Sequence, residues 1–171
     1  MNDLAVPFHR ALSPSISSTA PPCRQPSILV VEDGTGLGTA IRELCESLGI
    51  GVECPPSAEG FLRQLREQNP IAVLAELDGS EQDGCYVMMR VAEYDRSLPI
   101  LLLTGADPAL AGAAEAVEEL WGLSAVQIRC SLPGAGELAE FLCCATRRDG
   151  RFSRPPKSVK YRADKTEAAV G

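Results

Sequence analysis

Apolar residues fall into two kinds of segment along most of this chain. Short apolar runs are typical of buried strands, whereas apolar residues that recur every three or four positions are typical of one buried helix face. Runs that predict strands lie at 28–31, 50–54, 71–77, 99–104 and 125–130. Periodic segments that predict helices lie at 37–48, 58–65, 86–94, 109–121 and 138–145. The second strand alternates apolar with polar residues, which suits a sheet edge.

Five strands that alternate with five helices in about 120 residues predict one α/β domain with a parallel sheet and right-handed crossovers. This domain spans residues 27–147. Residues 1–26 are rich in Ser and Pro and predict a disordered leader. Residues 148–171 lose the apolar period, are rich in Arg, Lys and Pro, and predict a disordered basic tail.

Charge is distributed unevenly over a net charge of −7. Residues 27–147 hold nineteen Asp and Glu against seven Arg and no Lys, which gives −12. An acidic body argues against binding of the folded part to nucleic acid or to an anionic membrane. The apolar runs are too short to span a bilayer. The seven cysteines include no C-x-x-C pair, which argues against a disulfide or zinc framework and favours a cytoplasmic location.

Polar residues follow the strands at one predicted edge of the sheet. In a parallel α/β sheet, the carboxyl ends of the first, third, fourth and fifth strands can converge on one site. Those ends carry Glu32 and Asp33, then Glu76, Thr104, and a position near Ser131. Three clustered carboxylates repel one another unless a cation or proton intervenes, so the pattern favours weak binding of Mg²⁺ by Glu32, Asp33 and Glu76. The alternative is that they are solvated strand-end residues.

Three motifs give residues 28–147 a resemblance to a known family. They are Ile-Leu-Val-Val-Glu-Asp at 28–33, Asp-Gly at 83–84, seven and eight residues after Glu76, and Leu-Leu-Leu-Thr-Gly at 101–105. In this order they resemble the receiver domain of two-component response regulators. The resemblance implies a flavodoxin-like, doubly wound sheet of five strands in the order 2-1-3-4-5, and a signalling module without enzymatic activity of its own.

The resemblance also implies roles for individual residues. In receivers, an aspartate at the end of the third strand accepts a phosphoryl group from a histidine kinase, and an acidic pair holds Mg²⁺. A hydroxyl on the fourth strand and a lysine after the fifth bind the phosphoryl oxygens. Glu32 and Asp33 fall on the acidic pair and Thr104 on the hydroxyl position, but Glu76 stands where the phospho-acceptor aspartate should be.

The family's lysine is also replaced. The lysines of this chain are Lys157, Lys160 and Lys165, which all lie in the tail. Counting back from the Glu-Leu at 137–138 places Ser131 at the lysine position, whereas a gapped alignment places Arg129 there. We therefore expect an atypical pseudo-receiver in which Glu76 is not phosphorylated, and which acts by binding a histidine kinase or another signalling protein.

Two alternatives remain open. The glycine-rich segment 34–38 resembles the ATP-lid box of histidine-kinase ATPase domains, and such a loop at a helix start can bind phosphates. The chain could instead be a pure dimerisation or adaptor module. In receivers, helix four, strand five and helix five commonly form a dimerisation or output face, which predicts a possible homodimer through the same elements here.

Overall fold

The computed structural model of this chain describes residues 25–32, 34, 36–77, 84–148 and 150. The predicted leader, apart from Gln25 and Pro26, and the predicted tail, apart from Arg148 and Gly150, lie outside the described residues, and so does Asp33. None of the described helices is long and apolar enough to cross a membrane.

Five strands and five helices alternate along the described chain. The strands are β1 Ser27–Val31, β2 Gly51–Glu53, β3 Ala72–Glu76, β4 Ile100–Leu103 and β5 Val126–Arg129. The helices are α1 Leu37–Ser47, α2 Ala58–Gln68, α3 Gly84–Tyr94, α4 Pro108–Trp121 and α5 Ala135–Arg148. All neighbouring strands are parallel, in the order β2-β1-β3-β4-β5. The predicted doubly wound, flavodoxin-like sheet is confirmed.

Apolar side chains pack on both faces of the sheet, because successive strand residues point to opposite faces. The face under α1 and α5 is formed by Ile28, Val30, Ala72, Leu74, Leu101 and Leu103. The face under α2, α3 and α4 is formed by Leu29, Val31, Val73, Ala75, Ile100 and Leu102. This double burial is the reason that the central strands are continuous apolar runs in the sequence.

Candidate functional site

The acidic end of β1 lies beside the acidic end of β3. Val31 pairs with Ala75, and one further step along the same register places Glu32 next to Glu76. Both glutamates continue the alternate residues that face α1 and α5. Adjacent strands are about 4.8 Å apart. The structure therefore brings these two predicted site residues to one edge and one face of the sheet.

Glu32 has a neighbour that the sequence interpretation did not include. A Cβ atom built on Gly38, in the first turn of α1, would lie 2.4 Å from Sγ of Cys54 and 3.1 Å from Oε1 of Glu32. Both groups therefore lie over the bare Cα of Gly38, and the Cys54 thiol is hydrogen-bonded to the Glu32 carboxylate. Partial burial of the sulfur, followed by the negative charge of Glu32, raises the pKa of the Cys54 thiol.

Cys54 was missed because only four of the five strand ends were considered. It follows β2, and β2 is the edge strand beside β1, so the end of β2 also reaches this site. The available signal was the strand order 2-1-3-4-5 itself, which places a residue that follows the second strand next to the acidic end of the first.

Beyond Glu76, the chain returns to the sheet through a close approach at Gly84. A Cβ atom on Gly84 would lie 2.2 Å from Cδ1 of Leu102 and 3.2 Å from Cβ of Leu77. Glycine is thus the residue that allows α3 to begin against the ends of β3 and β4. This packing gives a structural reason for the second residue of the Asp-Gly motif, whereas the loop 78–83 lies outside the described residues.

Thr104 follows β4 at the same edge of the sheet and is only 3% exposed. Its backbone N–H donates to the Arg129 carbonyl at 2.9 Å. Its Oγ1 atom lies 3.4 Å from the carbonyl oxygens of Gly105 and Arg129, which is long for a hydroxyl hydrogen bond. The hydroxyl is therefore held loosely against the backbone at the ends of β4 and β5.

The two residues proposed for the lysine position lie at the end of β5 and just after it. Arg129 ends the strand, pairs with Leu103 and is exposed. Its Nη1 atom lies 3.4 Å from the carbonyl oxygen of Ile128. Ser131 is exposed in the following connection. Both positions are at the predicted edge, and the assignment of either to the lysine position stays a prediction.

The described residues do not by themselves fit a divalent cation. Among them, no group of three or more His, Cys, Asp or Glu side chains could hold a metal ion. Mg²⁺ takes several oxygen ligands in a near-octahedral arrangement. Of the predicted ligands, Glu32 is engaged by a thiol and Asp33 lies outside the described residues. The predicted Mg²⁺ site stays a prediction.

The glycine-rich segment before α1 has a conformational explanation at each described glycine. Gly34 has a φ of 73° and Gly36, the N-cap of α1, has a φ of 81°, in the left-handed region that favours glycine. Gly38 has no room for a side chain. Nucleotide binding is therefore not needed to explain these glycines.

Comparisons with known proteins agree with this geometry. No protein-family model matches the chain. The transcriptional regulatory protein AfsQ1 of Streptomyces coelicolor is 35% identical over 79 residues, which cover 46% of this chain and 35% of that protein. The response regulator protein TmoT of Ectopseudomonas mendocina is 27% identical over 78 residues, which cover 46% of this chain and 36% of that protein. The chain thus spans about a third of the length of these relatives.

Solved structures extend the likeness to the whole described domain. The N-terminal receiver domain of a two-component response regulator from Bacteroides fragilis is 24% identical with a TM-score of 0.56. The match covers 71% of this chain and 97% of that domain. The chain therefore has the fold of response-regulator receiver domains, and its sequence relatives are named as a transcriptional regulatory protein and a response regulator.

Proposed function

We propose that this domain is a receiver-like signalling module of a two-component pathway that binds its partners without phosphorylation of Glu76. The observation that carries the proposal is the position of Glu76, at the end of β3 and beside Glu32, at the edge where receivers carry their phospho-acceptor aspartate. The relative named as a response regulator, TmoT, and the likeness to the receiver domain from Bacteroides fragilis support the pathway. A histidine kinase or another signalling protein is the proposed partner.

The chemistry of the site disfavours phosphoryl transfer to Glu76. Glutamate is one methylene longer than aspartate, and a displacement of about 1 Å at a reacting atom can lower a rate by about a hundredfold. Phosphoryl transfer also needs cationic groups aimed at the developing charge. The domain contains no lysine, and the guanidinium of Arg129 lies against the carbonyl of Ile128. A planar guanidinium does not substitute freely for a lysine point charge.

This arrangement suggests a receiver that stays near one conformation. A phosphorylated aspartate changes its charge and size during signalling, whereas Glu76 keeps one carboxylate in place at all times. Binding to partners would then depend on the concentration of this protein and not on a change at Glu76. The surface of α4 suits such contacts, because Ala114 is its only buried residue and Leu120 is 80% exposed. A homodimer through α4, β5 and α5 remains part of this proposal.

The test is incubation with acetyl phosphate and Mg²⁺, followed by intact-mass measurement. We expect no phosphoryl gain in the wild type or in Glu140→Asp, a matched change on the exposed surface of α5. We expect a gain when Glu76→Asp is combined with Arg129→Lys or with Ser131→Lys, and the productive pair identifies the lysine position. A wild-type gain that Glu76→Gln abolishes would refute the proposal.

A further inference from the structure

The contact between Cys54 and Glu32 is not part of the receiver resemblance. We propose that Cys54 is a positioning residue, which holds the Glu32 carboxylate on the α1 side of the site, away from Glu76, and so withholds it from a cation. The inference deepens the proposed function, because it concerns the same acidic site.

Strand order sets the direction in which Glu32 is drawn. β1 lies between β2 and β3, so the end of β2 and Glu76 are on opposite sides of Glu32. Leu29 pairs with Glu53, and the next step in register places Cys54 beside Val30. A carboxylate bonded to a β2 side chain is therefore drawn away from the β3 carboxylate.

Helix α1 provides the space in which the two groups meet. The Cys54 Sγ atom, 2.4 Å from a Cβ position on Gly38, occupies the volume of the missing side chain, and the Glu32 Oε1 atom, 3.1 Å from the same position, lies at its border. Real Cβ atoms do not approach a neighbour to less than 3.0 Å. Cys54 is exposed as a whole, but its sulfur meets Glu32 beside Gly38, so residues from a helix and from the ends of two strands come together at this point.

Electrostatics favours this arrangement. Two carboxylates on adjacent strands repel each other, and the repulsion falls as their separation grows. A thiol is a weak donor, but a hydrogen bond to an ionised acceptor is stronger than one between neutral groups. The thiol therefore stabilises the separated arrangement.

Binding of Mn²⁺, followed by the EPR signal of the unbound ion, tests the proposal. Loss of a hydrogen bond to a charged group changes an equilibrium constant by about tenfold or more. Because a thiol is a weak donor, we expect a change of about three- to tenfold in the Mn²⁺ binding constant. We expect Cys54→Ala to bind Mn²⁺ more tightly by this factor. Gly38→Ala should act in the same direction, because its methyl group displaces the Cys54 Sγ atom from its place beside Glu32. Cys54→Ser retains a donor, and a hydroxyl is a stronger donor than a thiol, so this variant should bind Mn²⁺ no more tightly than the wild type does.

The matched control is Cys144→Ala, which removes an exposed thiol from α5 and should leave Mn²⁺ affinity unchanged. Weaker binding by Cys54→Ala would make the thiol a ligand and overturn the proposal. Equal binding by the wild type and Cys54→Ala, including no binding by either, would also overturn it, as would a serine variant that behaves like the alanine variant. The Mn²⁺ titration contains no phosphoryl donor. Phosphorylation of the wild type by acetyl phosphate would therefore refute the proposed function and leave the result of this titration unaffected.

Discussion

Helices α3 and α4 pack on the same face of the sheet but are anchored to very different degrees. Five of the eleven residues of α3 are buried, whereas Ala114 is the one buried residue among the fourteen of α4. The strands behave in the same way: every residue of β4 is buried, and β5 alternates between partly buried and exposed residues. We call β3, α3 and β4 the inner region, and α4 and β5 the outer edge.

Helices α3 and α4 are therefore stabilised in different ways. Helix α3 is held by packing, which also fixes where the chain returns to the sheet after Glu76. Helix α4 is supported locally, since Asp107 accepts a hydrogen bond from the Ala109 N–H at 2.8 Å and Pro108 occupies the first turn. The inner region therefore positions the candidate site, while the outer edge keeps its shape with most of its surface available for contacts.

The largest expected effect compares a leucine from each region. Leu102 is fully buried in β4 and Leu120 is 80% exposed on α4. Leu102→Ala should lower the free energy of unfolding by about 2–5 kcal/mol, because it leaves a cavity in the core. Leu120→Ala should change it by less than about 0.5 kcal/mol. Urea unfolding followed by circular dichroism measures both, and similar losses for the two variants would contradict the comparison.

The next effect should differ in sign between the regions. A methyl group on Gly84 would overlap Leu102, so Gly84→Ala should destabilise the fold by about 1–3 kcal/mol through overpacking. Gly112 lies within α4 with nothing within 4 Å of a Cβ position. Gly112→Ala should stabilise the fold by about 0.5–1 kcal/mol through helix propensity. The same unfolding experiment tests this pair, and destabilisation by both variants would show that α4 is packed more tightly than its exposure indicates.

Much of the fold, including the inner region, could be predicted from the sequence because its signals are local or periodic. Continuous apolar runs predicted the central strands, and the parallel order placed Glu32, Glu76 and Thr104 at one edge. The start of α2 has a local signal of this kind, because Ser57 precedes the helix and its Oγ accepts a hydrogen bond from the Gly60 N–H at 3.1 Å. The strands and the helix start depend on residues that are close together in the chain, and the shared edge follows from the parallel order of the strands.

The features that the sequence did not predict depend on how distant segments approach one another. The meeting of Cys54 with Glu32 over Gly38 needs the order of the strands and the approach of α1, which no single segment encodes. Helix α5 begins at Ala135, whereas its periodic signal begins at Leu138, because its first turn is exposed and carries no apolar periodicity. The choice between Arg129 and Ser131 depends on side-chain reach, which spacing alone does not determine.

One turn connects the two regions to the end of α5. Arg148 donates to Asp95 at 2.8 Å, and the Ser97 N–H donates to the same carboxylate at 2.9 Å. In the same turn, the Arg96 carbonyl accepts a hydrogen bond from the Ser124 N–H at 3.0 Å, in the connection between α4 and β5. The pair of Asp95 and Arg148 therefore stabilises the turn where the outer edge joins the inner region.

The smallest expected effect comes from this pair and depends on pH. Burial alone raises the pKa of Asp95, but hydrogen bonds from Arg148 and Ser97 outweigh it and lower the pKa below its ordinary value of 3.8. A carboxyl whose pKa is lowered by folding stabilises the fold above its unfolded value, and that stability is lost as the pH falls through the folded pKa. The exposed fractions of the two side chains, 39% and 37%, limit the contribution to about 0.2–1 kcal/mol.

Asp95→Asn should therefore lower the free energy of unfolding near neutral pH by an amount in this range. The difference from the wild type should shrink as the pH falls below about 4, where the aspartate becomes protonated in the unfolded chain. Urea unfolding across this pH range measures the difference. Glu93→Gln is the matched control, because Glu93 pairs with Arg90 within α3 and does not connect the inner region to the outer edge. A difference that grows in acid would mean that burial, and not the pair with Arg148, dominates at Asp95.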